Sequence, residues 1–457
     1  MPSRRLLLVL TLSLLLVVTA CAIRRDLREP APAFVMPTSS VVGATPPHFP
    51  PRAVGAARLD ITPTYSVILG GYGMCFWSKK NCRWSQGVHD PLYATALYFL
   101  KGDEALVLIQ TDLVGLAKGD IDQIRDAVAV KLLMSRDRVI VASTHTHHSP
   151  DTFGLWGTLV PADSGRDEPY MNFAKERAIE AAVKAYQSRQ PAHLSYALGE
   201  ESQLHYNIHQ NQTADPNLDH AITVLMATGD DGQLIATLTN WACHPTTEDH
   251  PNRLISADWV GAFYQNMAAA KPGVHMYING SIGASVQPAP AWRDAQGLPN
   301  EGQGFLWAKA FGDAFTKKVL RAMENPTPIE VDRVVVETRP VQVHMQNFVY
   351  RLAGVLGMFP PGFPETDDFA STITAVRLGP LRLGSLPGEL SPHLGKQIRA
   401  ALGGPAQVLI GLSQDDLGYI LDEQQHADSN FSYEKMLCVS PHFGPDIVAA
   451  YRTVRFE

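Results

Sequence analysis

The sequence has few charged residues, and it lacks any basic run beyond its extreme N-terminus. Only 18% of its 457 residues are charged, and its formal net charge is -7 at pH 7. Clusters of Lys and Arg are what bind nucleic-acid phosphates, so this composition argues against a nucleic-acid partner. The remaining composition is that of a globular protein with enough material for one large core or two ordinary ones.

The sequence also lacks a long apolar run. The apolar stretch at residues 6–18 is shorter than the roughly twenty residues that a membrane-spanning helix needs. It follows Arg4 and Arg5, an order that predicts a secretory signal over residues 1–20. The segment ends in Val-Thr-Ala-Cys, which is similar to the lipobox of bacterial lipoproteins and predicts lipidation of Cys21. The alternative is an ordinary signal peptide, and in either case the mature protein is exported.

These features predict a lipid-anchored protein of the bacterial cell envelope, either periplasmic or at the outer membrane, with the membrane as a partner. Residues 21–52 are rich in Pro, Ala and Arg and show no apolar periodicity, which is typical of a flexible linker. The folded body is predicted to cover residues 53–457.

Cysteine is scarce, with five residues in the whole chain. Cys75 and Cys82 flank a short loop, and an oxidising compartment favours a disulfide between them. Their spacing is not that of a zinc knuckle. Cys243 lies in an apolar context, which predicts a buried thiol.

Helical and strand periodicities alternate along the body, and we detect no internal repeat. This alternation predicts one large α/β domain, in one or two lobes, with mixed β-sheets flanked by helices. The predicted helices cover residues 120–133, 168–187, 258–270, 305–322 and 392–402. The predicted strands cover residues 92–100, 105–109, 138–142, 221–227, 234–241, 274–278, 329–343, 371–386 and 407–412.

Three histidines follow the predicted strand at 138–142, in the segment Ser-Thr-His-Thr-His-His-Ser-Pro at residues 143–150. If the strand continues, its side chains alternate, so His145 and His147 share one face and His148 lies on the other. Two imidazoles on one face could bind a metal together, or one could bind it while the other transfers protons. The alternative is that they are polar residues at a domain surface.

Three further predicted strand ends carry residues of catalytic type. His244 precedes a chain-breaking proline in Asn-Trp-Ala-Cys-His-Pro-Thr, Glu389 lies in Leu-Pro-Gly-Glu, and Tyr419 lies in Gly-Tyr-Ile. Each of these residues alone could be a packed or capping side chain. Together, two histidines and a carboxylate match the ligand types of catalytic zinc, which needs three or so N/O ligands and an open position.

These motifs resemble, in order, those of the neutral/alkaline (non-lysosomal) ceramidase family. Gly-Ala-Ala-Arg-Leu-Asp-Ile-Thr-Pro at 55–63 and Val-His-Asp-Pro-Leu-Tyr-Ala at 88–94 belong to the same series, so the resemblance extends from residue 53 to the end. It implies a zinc-dependent amidase with one Zn²⁺ per chain. The implied ligands are His145, His244, Glu389 and Tyr419, and His147 is the implied catalytic residue that shuttles a proton or stabilises the oxyanion.

The substrate side departs from the family pattern. The family's Gly-Asp-Val-Ser-Pro-Asn appears as Gly-Ala-Ser-Val-Gln-Pro at 283–288, which leaves Ser285 one position early as a substrate-side candidate. Tyr433 is a second such candidate, from a Tyr-Glu pair similar to the family's. An Asn-Arg motif is replaced by Asn-Ile-His at 207–209, and we expect the family's C-terminal immunoglobulin-like domain to be absent. We therefore expect retained metal binding and altered substrate recognition.

The first hypothesis is hydrolysis of the N-acyl amide of ceramide or a related N-acyl lipid, which yields a fatty acid and a sphingosine-type amine. The second is a cell-envelope zinc hydrolase of another amide or ester. The third is an inactive exported protein that serves as a binding module or scaffold.

Overall fold

The structure, a computed structural model, describes residues 52–73, 75–209, 217–299, 305–355, 359–360 and 368–456. The predicted signal segment, the lipidation site Cys21 and nearly all of the predicted linker lie outside the described residues. None of the helices in the described ranges is both long enough and apolar enough to span a bilayer.

The main element of the fold is a mixed sheet of nine strands. Most of its neighbouring strands are antiparallel, but two pairs are parallel: Glu104–Thr111 with Val139–Ser143, and Leu234–Trp241 with Val274–Asn279. In spatial order, the strands are Val274–Asn279, Leu234–Trp241, Ala221–Gly229, Gln190–Glu200, Arg52–Asp60, Tyr93–Lys101, Glu104–Thr111 and Val139–Ser143, with Thr327–Ile329 also paired to Gln190–Glu200.

A second sheet of four strands packs face to face on the first. Its strands, in spatial order, are Val334–His344, Asp368–Leu378, Leu381–Ser385 and Ala406–Ile410. Leu106 and Leu108 of the large sheet share one core cluster with Val376 and Val408 of the small sheet. Asn240 also joins the sheets: its buried amide donates to the carbonyl oxygen of Leu409 at 2.8 Å.

Helices cover the two outer faces, so the domain has four layers in the order helices, sheet, sheet, helices. Val107 and Ile109 alternate with the residues that face the second sheet, and they pack against the helix Glu168–Gln187 and its neighbour. The helices Trp259–Ala270 and Leu306–Ala322 pack on another part of the large sheet. The helices Pro392–Leu402 and Phe443–Arg452 pack on the outer face of the small sheet. In chain order, the helices are Lys118–Leu132, Glu168–Gln187, Trp259–Ala270, Pro290–Ala295, Leu306–Ala322, Phe348–Val355, Pro392–Leu402, Glu423–Ala427, Ser432–Met436 and Phe443–Arg452.

Three short strand pairs and three 3₁₀ turns complete the described elements. The pairs are Gly87–Val88 with Leu254–Ile255, His205–Asn207 with Val286–Pro288, and Glu389–Leu390 with Tyr419–Ile420. The 3₁₀ turns are Lys79–Asn81, Arg136–Arg138 and Ser429–Phe431.

The predicted α/β class, with mixed sheets flanked by helices, is confirmed. The helices Glu168–Gln187 and Pro392–Leu402 have their predicted bounds. Two long predicted strands were wrong in extent. Residues 371–386 form two strands, Asp368–Leu378 and Leu381–Ser385, because Gly379 adopts a positive φ of 57° and reverses the chain.

The predicted strand at 329–343 likewise combines parts of two sheets. Thr327–Ile329 belongs to the large sheet, and Val334–His344 begins the small one. A disulfide joins Cys75 and Cys82, and Cys243 is a fully buried free thiol.

Candidate active site

His145 lies just beyond the strand Val139–Ser143, not within it. Its backbone adopts a left-handed φ of 71°, and its N–H donates to the carbonyl oxygen of Leu113 at 2.9 Å. Its ring Nδ1 is hydrogen-bonded to the carbonyl oxygen of Val114. This bond fixes the ring and directs Nε2 into the interior of the site.

His147 lies beside His145 because the loop folds back, so the explanation by strand alternation was wrong. The two Nε2 atoms are 3.3 Å apart, and the ring of Tyr72 packs edge-on against His147 at 4.7 Å. Arg83 holds the carbonyl oxygen of His147 at 2.7 Å. Gly71 approaches so closely that a Cβ there would lie 2.4 Å from Cγ of His147.

His148, predicted to lie on the opposite face from His145 and His147, points away from this site. Its Nδ1 contacts Arg83 and Asn252, and its Nε2 lies 3.0 Å from the carbonyl oxygen of Glu248. Full burial lowers the pKa of His148 to about 3, so the ring packs in its neutral form.

His244 follows the strand Leu234–Trp241, and Pro245 comes directly after it. Its Nδ1 lies 2.6 Å from the carbonyl oxygen of Val286, and its Nε2 lies 3.0 Å from Oε2 of Glu389. His244 therefore has the same arrangement as His145, with one nitrogen bonded to a backbone carbonyl and the other facing the site.

Asn279 fixes the two histidine loops relative to each other. Its side-chain Nδ2 donates to the carbonyl oxygen of Thr144 at 3.0 Å, and its Oδ1 accepts from the N–H of Cys243 at 3.1 Å. These two backbone groups directly precede His145 and His244 in the sequence. A buried amide with both ends satisfied thus sets the distance between the two rings.

Glu389 and Tyr419 reach the site from a short parallel strand pair, in which they are register partners. Oε1 of Glu389 lies 3.4 Å from Nε2 of His145, on the side of the carboxylate opposite His244. Gly388 precedes Glu389 with a φ of 139°, and a Cβ there would lie 2.5 Å from a backbone oxygen of the partner strand's loop. Only glycine fits this turn.

Burial sets the protonation of the cluster. It lowers the pKa of His145 and of His244 to about 4 each, so both imidazoles are neutral near pH 7. It raises the pKa of Glu389 to about 7, against the opposing effect of His145. Neutral imidazoles are the form that binds a metal.

The donor atoms are spaced as a zinc site requires. Ligand atoms about 2.0–2.1 Å from a tetrahedral Zn²⁺ lie about 3.3 Å from one another. The separations of Glu389 from His145 and His244 are 3.4 and 3.0 Å, and His145, His147 and His244 offer nitrogens that all lie within 4.8 Å. The residues therefore fit a zinc ion of the kind that the sequence predicts.

Ser285 lies beside Tyr419 even though its motif is shifted. Its Oγ is 3.4 Å from the hydroxyl of Tyr419 and donates to Oε1 of Glu434 at 2.6 Å. Ala284 and Ser285 both have positive φ, at 59° and 51°. Tyr433 is half exposed and packs edge-on against Tyr419, with ring centroids 5.8 Å apart.

His209 is a site residue whose contact was not foreseen. Its Nε2 lies 2.5 Å from Oε1 of Glu434, the oxygen that also accepts from Ser285. Sequence reasoning noted only that an arginine was absent from residues 207–209. The signal that could have indicated this contact is that His209, itself a basic residue, stands in the segment that lacks the arginine.

A cavity opens over these groups, with walls that are mostly apolar. His145, His147, Glu389 and Tyr419 line it. Its apolar walls include Val114, Phe153, Leu155, Trp156, Tyr350 and Leu437. The arrangement can hold an apolar chain next to a metal-binding cluster.

The sequence profile described as "Neutral/alkaline non-lysosomal ceramidase, N-terminal" matches residues 53–276. Residues 53–276 therefore belong to the neutral/alkaline ceramidase family. Two curated relatives are neutral ceramidases A and B of Dictyostelium discoideum, each 25% identical, over 220 and 221 residues. Each match covers 45% of this chain and 30% of the relative's own length.

Two solved structures share the fold of this ceramidase-family chain. One is titled "Ceramidase complexed with C2", with a TM-score of 0.69, 18% identity, and coverage of 88% of this chain and 74% of that one. The other is neutral ceramidase from Pseudomonas aeruginosa, with a TM-score of 0.67, 18% identity, and coverage of 89% and 75%. The profile match confirms the family predicted from the motifs, and the two structures confirm the fold.

Proposed function

We propose that this protein is a zinc-dependent amidohydrolase that cleaves the N-acyl amide of ceramide or a related N-acyl lipid. One observation carries the proposal: Glu389, which lines a mostly apolar cavity, lies within 3.4 Å of Nε2 of His145 and 3.0 Å of Nε2 of His244. Membership of the ceramidase family supports amide hydrolysis as the reaction.

We assign His145, His244, Glu389 and Tyr419 as the zinc ligands. Both histidines have their Nδ1 bonded to a backbone carbonyl, an arrangement that orients ligand imidazoles. When bound there, Zn²⁺ would act as a Lewis acid that polarises the scissile carbonyl and the attacking water.

We assign His147 to proton transfer. Among the described residues, none is hydrogen-bonded to its buried Nδ1, so the ring lacks the anchoring of the two proposed ligand histidines. Its ring faces the cavity and is neutral, because burial and the neighbouring imidazoles lower its pKa well below 6.5. Nε2 can therefore accept a proton from the attacking water and deliver it to the amide nitrogen as the C–N bond breaks.

The walls of the cavity support a lipid substrate. Aromatic and aliphatic side chains exclude water and favour a hydrocarbon chain over a polar one. Ser285 lies 3.4 Å from the hydroxyl of Tyr419, and Tyr433 lines the cavity. Both are proposed to contact the substrate. The products would be a fatty acid and a sphingosine-type amine.

We also propose that the protein acts in the cell envelope, attached to a membrane through lipidated Cys21. The support is the apolar segment at 6–18, its basic start and its small residues before the cysteine. A lipid anchor keeps an enzyme near substrates that stay in the bilayer.

The second candidate function is hydrolysis of a different amide or ester. The contact of His209 with Glu434 favours it, because His209 lies in the segment where the family's Asn-Arg motif would contribute to substrate binding.

Metal analysis paired with an activity assay tests these proposals. Purified wild type should contain one zinc per chain and release fatty acid from a fluorescent short-chain ceramide, whereas His244→Ala should lose the zinc. A wild type without zinc, or zinc that persists in His244→Ala, would refute the metal assignment. Zinc with turnover of other amides or esters but not ceramide would establish the second candidate, and zinc without any turnover would favour an inactive binding protein.

A further inference from the structure

Asp416 places a carboxyl group in the wall of the proposed substrate cavity. It lines the same cavity as His145 and Glu389, and only 6% of its surface is exposed. Neither the motifs nor the proposed mechanism uses it.

The two carboxyl oxygens of Asp416 have different surroundings. Oδ1 accepts a hydrogen bond from the N–H of Gly418 at 3.1 Å. Within the described part of the chain, no group donates a hydrogen bond to Oδ2 and no basic side chain pairs with it. Because Oδ2 has no donor from the described residues, a group bound in the cavity is free to donate a hydrogen bond to it.

The chain makes room for this carboxyl group at Gly115. A Cβ at position 115 would lie 2.0 Å from Oδ2 of Asp416 and 2.9 Å from a ring carbon of Phe153. Any larger residue would displace the carboxyl group from this wall. The packing around Gly115 therefore fixes the position of the Asp416 carboxyl group, which does not move freely as a surface side chain would.

The neighbouring Asp415 shows the opposite situation. Its Oδ2 accepts from the hydroxyl of Ser371 at 2.8 Å, and its Oδ1 accepts from the backbone N–H of Lys118 at 3.2 Å. Asp415 does not line the cavity. Of two adjacent buried carboxyl groups, one is satisfied by the protein and the other faces the substrate space.

We propose that Asp416 is a specificity-determining residue, which accepts a hydrogen bond from a hydroxyl or ammonium group on the amine half of the substrate. The acyl half of an N-acyl lipid is hydrocarbon, so the donor must lie on the amine half. The proposal rests on the proposed amidase function for the identity of the substrate. It narrows the substrate class to N-acyl amino alcohols and N-acyl diamines.

The protonation of Asp416 agrees with this proposal. Burial, with the charge of Glu389 adding to it, raises the pKa of Asp416 well above its usual range. A neutral carboxyl group pairs well with a hydroxyl, and a bound ammonium group would favour the ionised form. Either donor satisfies Oδ2, and a purely hydrocarbon amine half leaves it unpaired.

Calorimetric titration with three dialkyl ureas tests the proposal, because ureas of this kind resist hydrolysis. They share one carbon skeleton and carry, on the amine-side chain, a hydroxyl, an ammonium group or neither. Wild type should bind at least one donor-bearing urea about 5- to 150-fold more tightly than the parent urea. Asp416→Leu should lose this preference while it keeps the affinity for the parent.

Two more variants make the outcome decisive. Asp416→Asn should retain a preference for the hydroxyl urea and lose a preference for the ammonium urea, so it identifies which group Asp416 binds. It also replaces Asp416→Leu if that variant fails to fold. Asp415→Asn is the matched control, and it should keep the wild-type preference. Equal binding of all three ureas by wild type, or an unchanged preference in both Asp416 variants, would overturn the proposal. The titration needs no turnover, so its failure is distinct from a failure of the amidase proposal.

Discussion

Nε2 of His244 lies 3.0 Å from Oε2 of Glu389, although 145 residues separate the two in sequence. The same carboxylate reaches Nε2 of His145 with its other oxygen at 3.4 Å. Two neutral imidazoles around one buried carboxylate offer lone pairs to a common point. The effects that we expect of substitutions in the site depend mainly on this arrangement of Glu389, His145 and His244.

Removal of the Glu389 carboxylate should weaken zinc binding. Loss of residues that only support zinc ligands lowers metal affinity about 10- to 100-fold, so Glu389→Gln should lower it by at least that much. Competition with a chromophoric chelator measures the affinity. Glu434→Gln is the control, because the described hydrogen bonds of Glu434 go to Ser285 and His209 and not to a proposed ligand. Equal zinc affinity in wild type and Glu389→Gln would exclude Glu389 as a ligand.

Replacement of His147 should separate catalysis from metal binding. His147→Ala should keep its zinc and lose about 10²–10⁴-fold in kcat, the usual contribution of general acid–base catalysis. Zinc content and turnover are measured on the same preparation. Loss of zinc from His147→Ala would instead place His147 among the ligands, as its position within the histidine cluster allows.

Gly71→Ala should damage the site through His147 alone. A Cβ there would lie 2.4 Å from Cγ of His147, and the φ of 96° is unfavourable for any other residue. Displacement of a catalytic group by about 1 Å costs on the order of 10²-fold in rate. Gly73→Ala is the matched control, since its Cβ would meet only the side chain of His250, at 3.2 Å. Turnover in Gly71→Ala that matches Gly73→Ala would argue against this contact.

Metal-free protein should lose stability as the pH falls, in part because of His148. The pKa of His148 is about 3 in the folded state and about 6.5 when unfolded, so between these values the unfolded chain binds more protons. The free energy of unfolding should therefore rise with pH by roughly 1 kcal/mol per pH unit for this group, with the gain complete above pH 6.5. In urea titrations with a chelator present, the free energy of unfolding should depend less steeply on pH in His148→Gln than in wild type. An unchanged slope would mean that His148 is charged in the fold.

Local sequence pattern predicted much of the secondary structure. The helix Glu168–Gln187 has its predicted bounds because its apolar residues repeat at helical spacing and Asp167 caps its start. Pattern alone could not divide residues 371–386, since the turn at Gly379 interrupts an apolar stretch without changing its composition. It also could not show that two sheets stack face to face.

The contacts of His209 and Asp416 were beyond reach of the sequence. His209 meets Glu434 across 225 residues, and the position of Asp416 depends on the space beside Gly115. No periodicity or spacing connects such residues, because they meet only when distant loops fold together. His145 and His147 do converge as predicted, but a left-handed turn brings them together and not strand alternation.

By itself, the sequence determined the family, the α/β class and the kinds of side chain available for metal chemistry, because these depend on motif identity and local periodicity. Only the tertiary structure decided which lone pairs face each other and which carboxyl group is left for a ligand. The direction of a loop side chain is set by backbone hydrogen bonds and by neighbours far along the chain. The amide of Asn279, which ties the loops of His145 and His244 together, is the contact that makes this difference at the site.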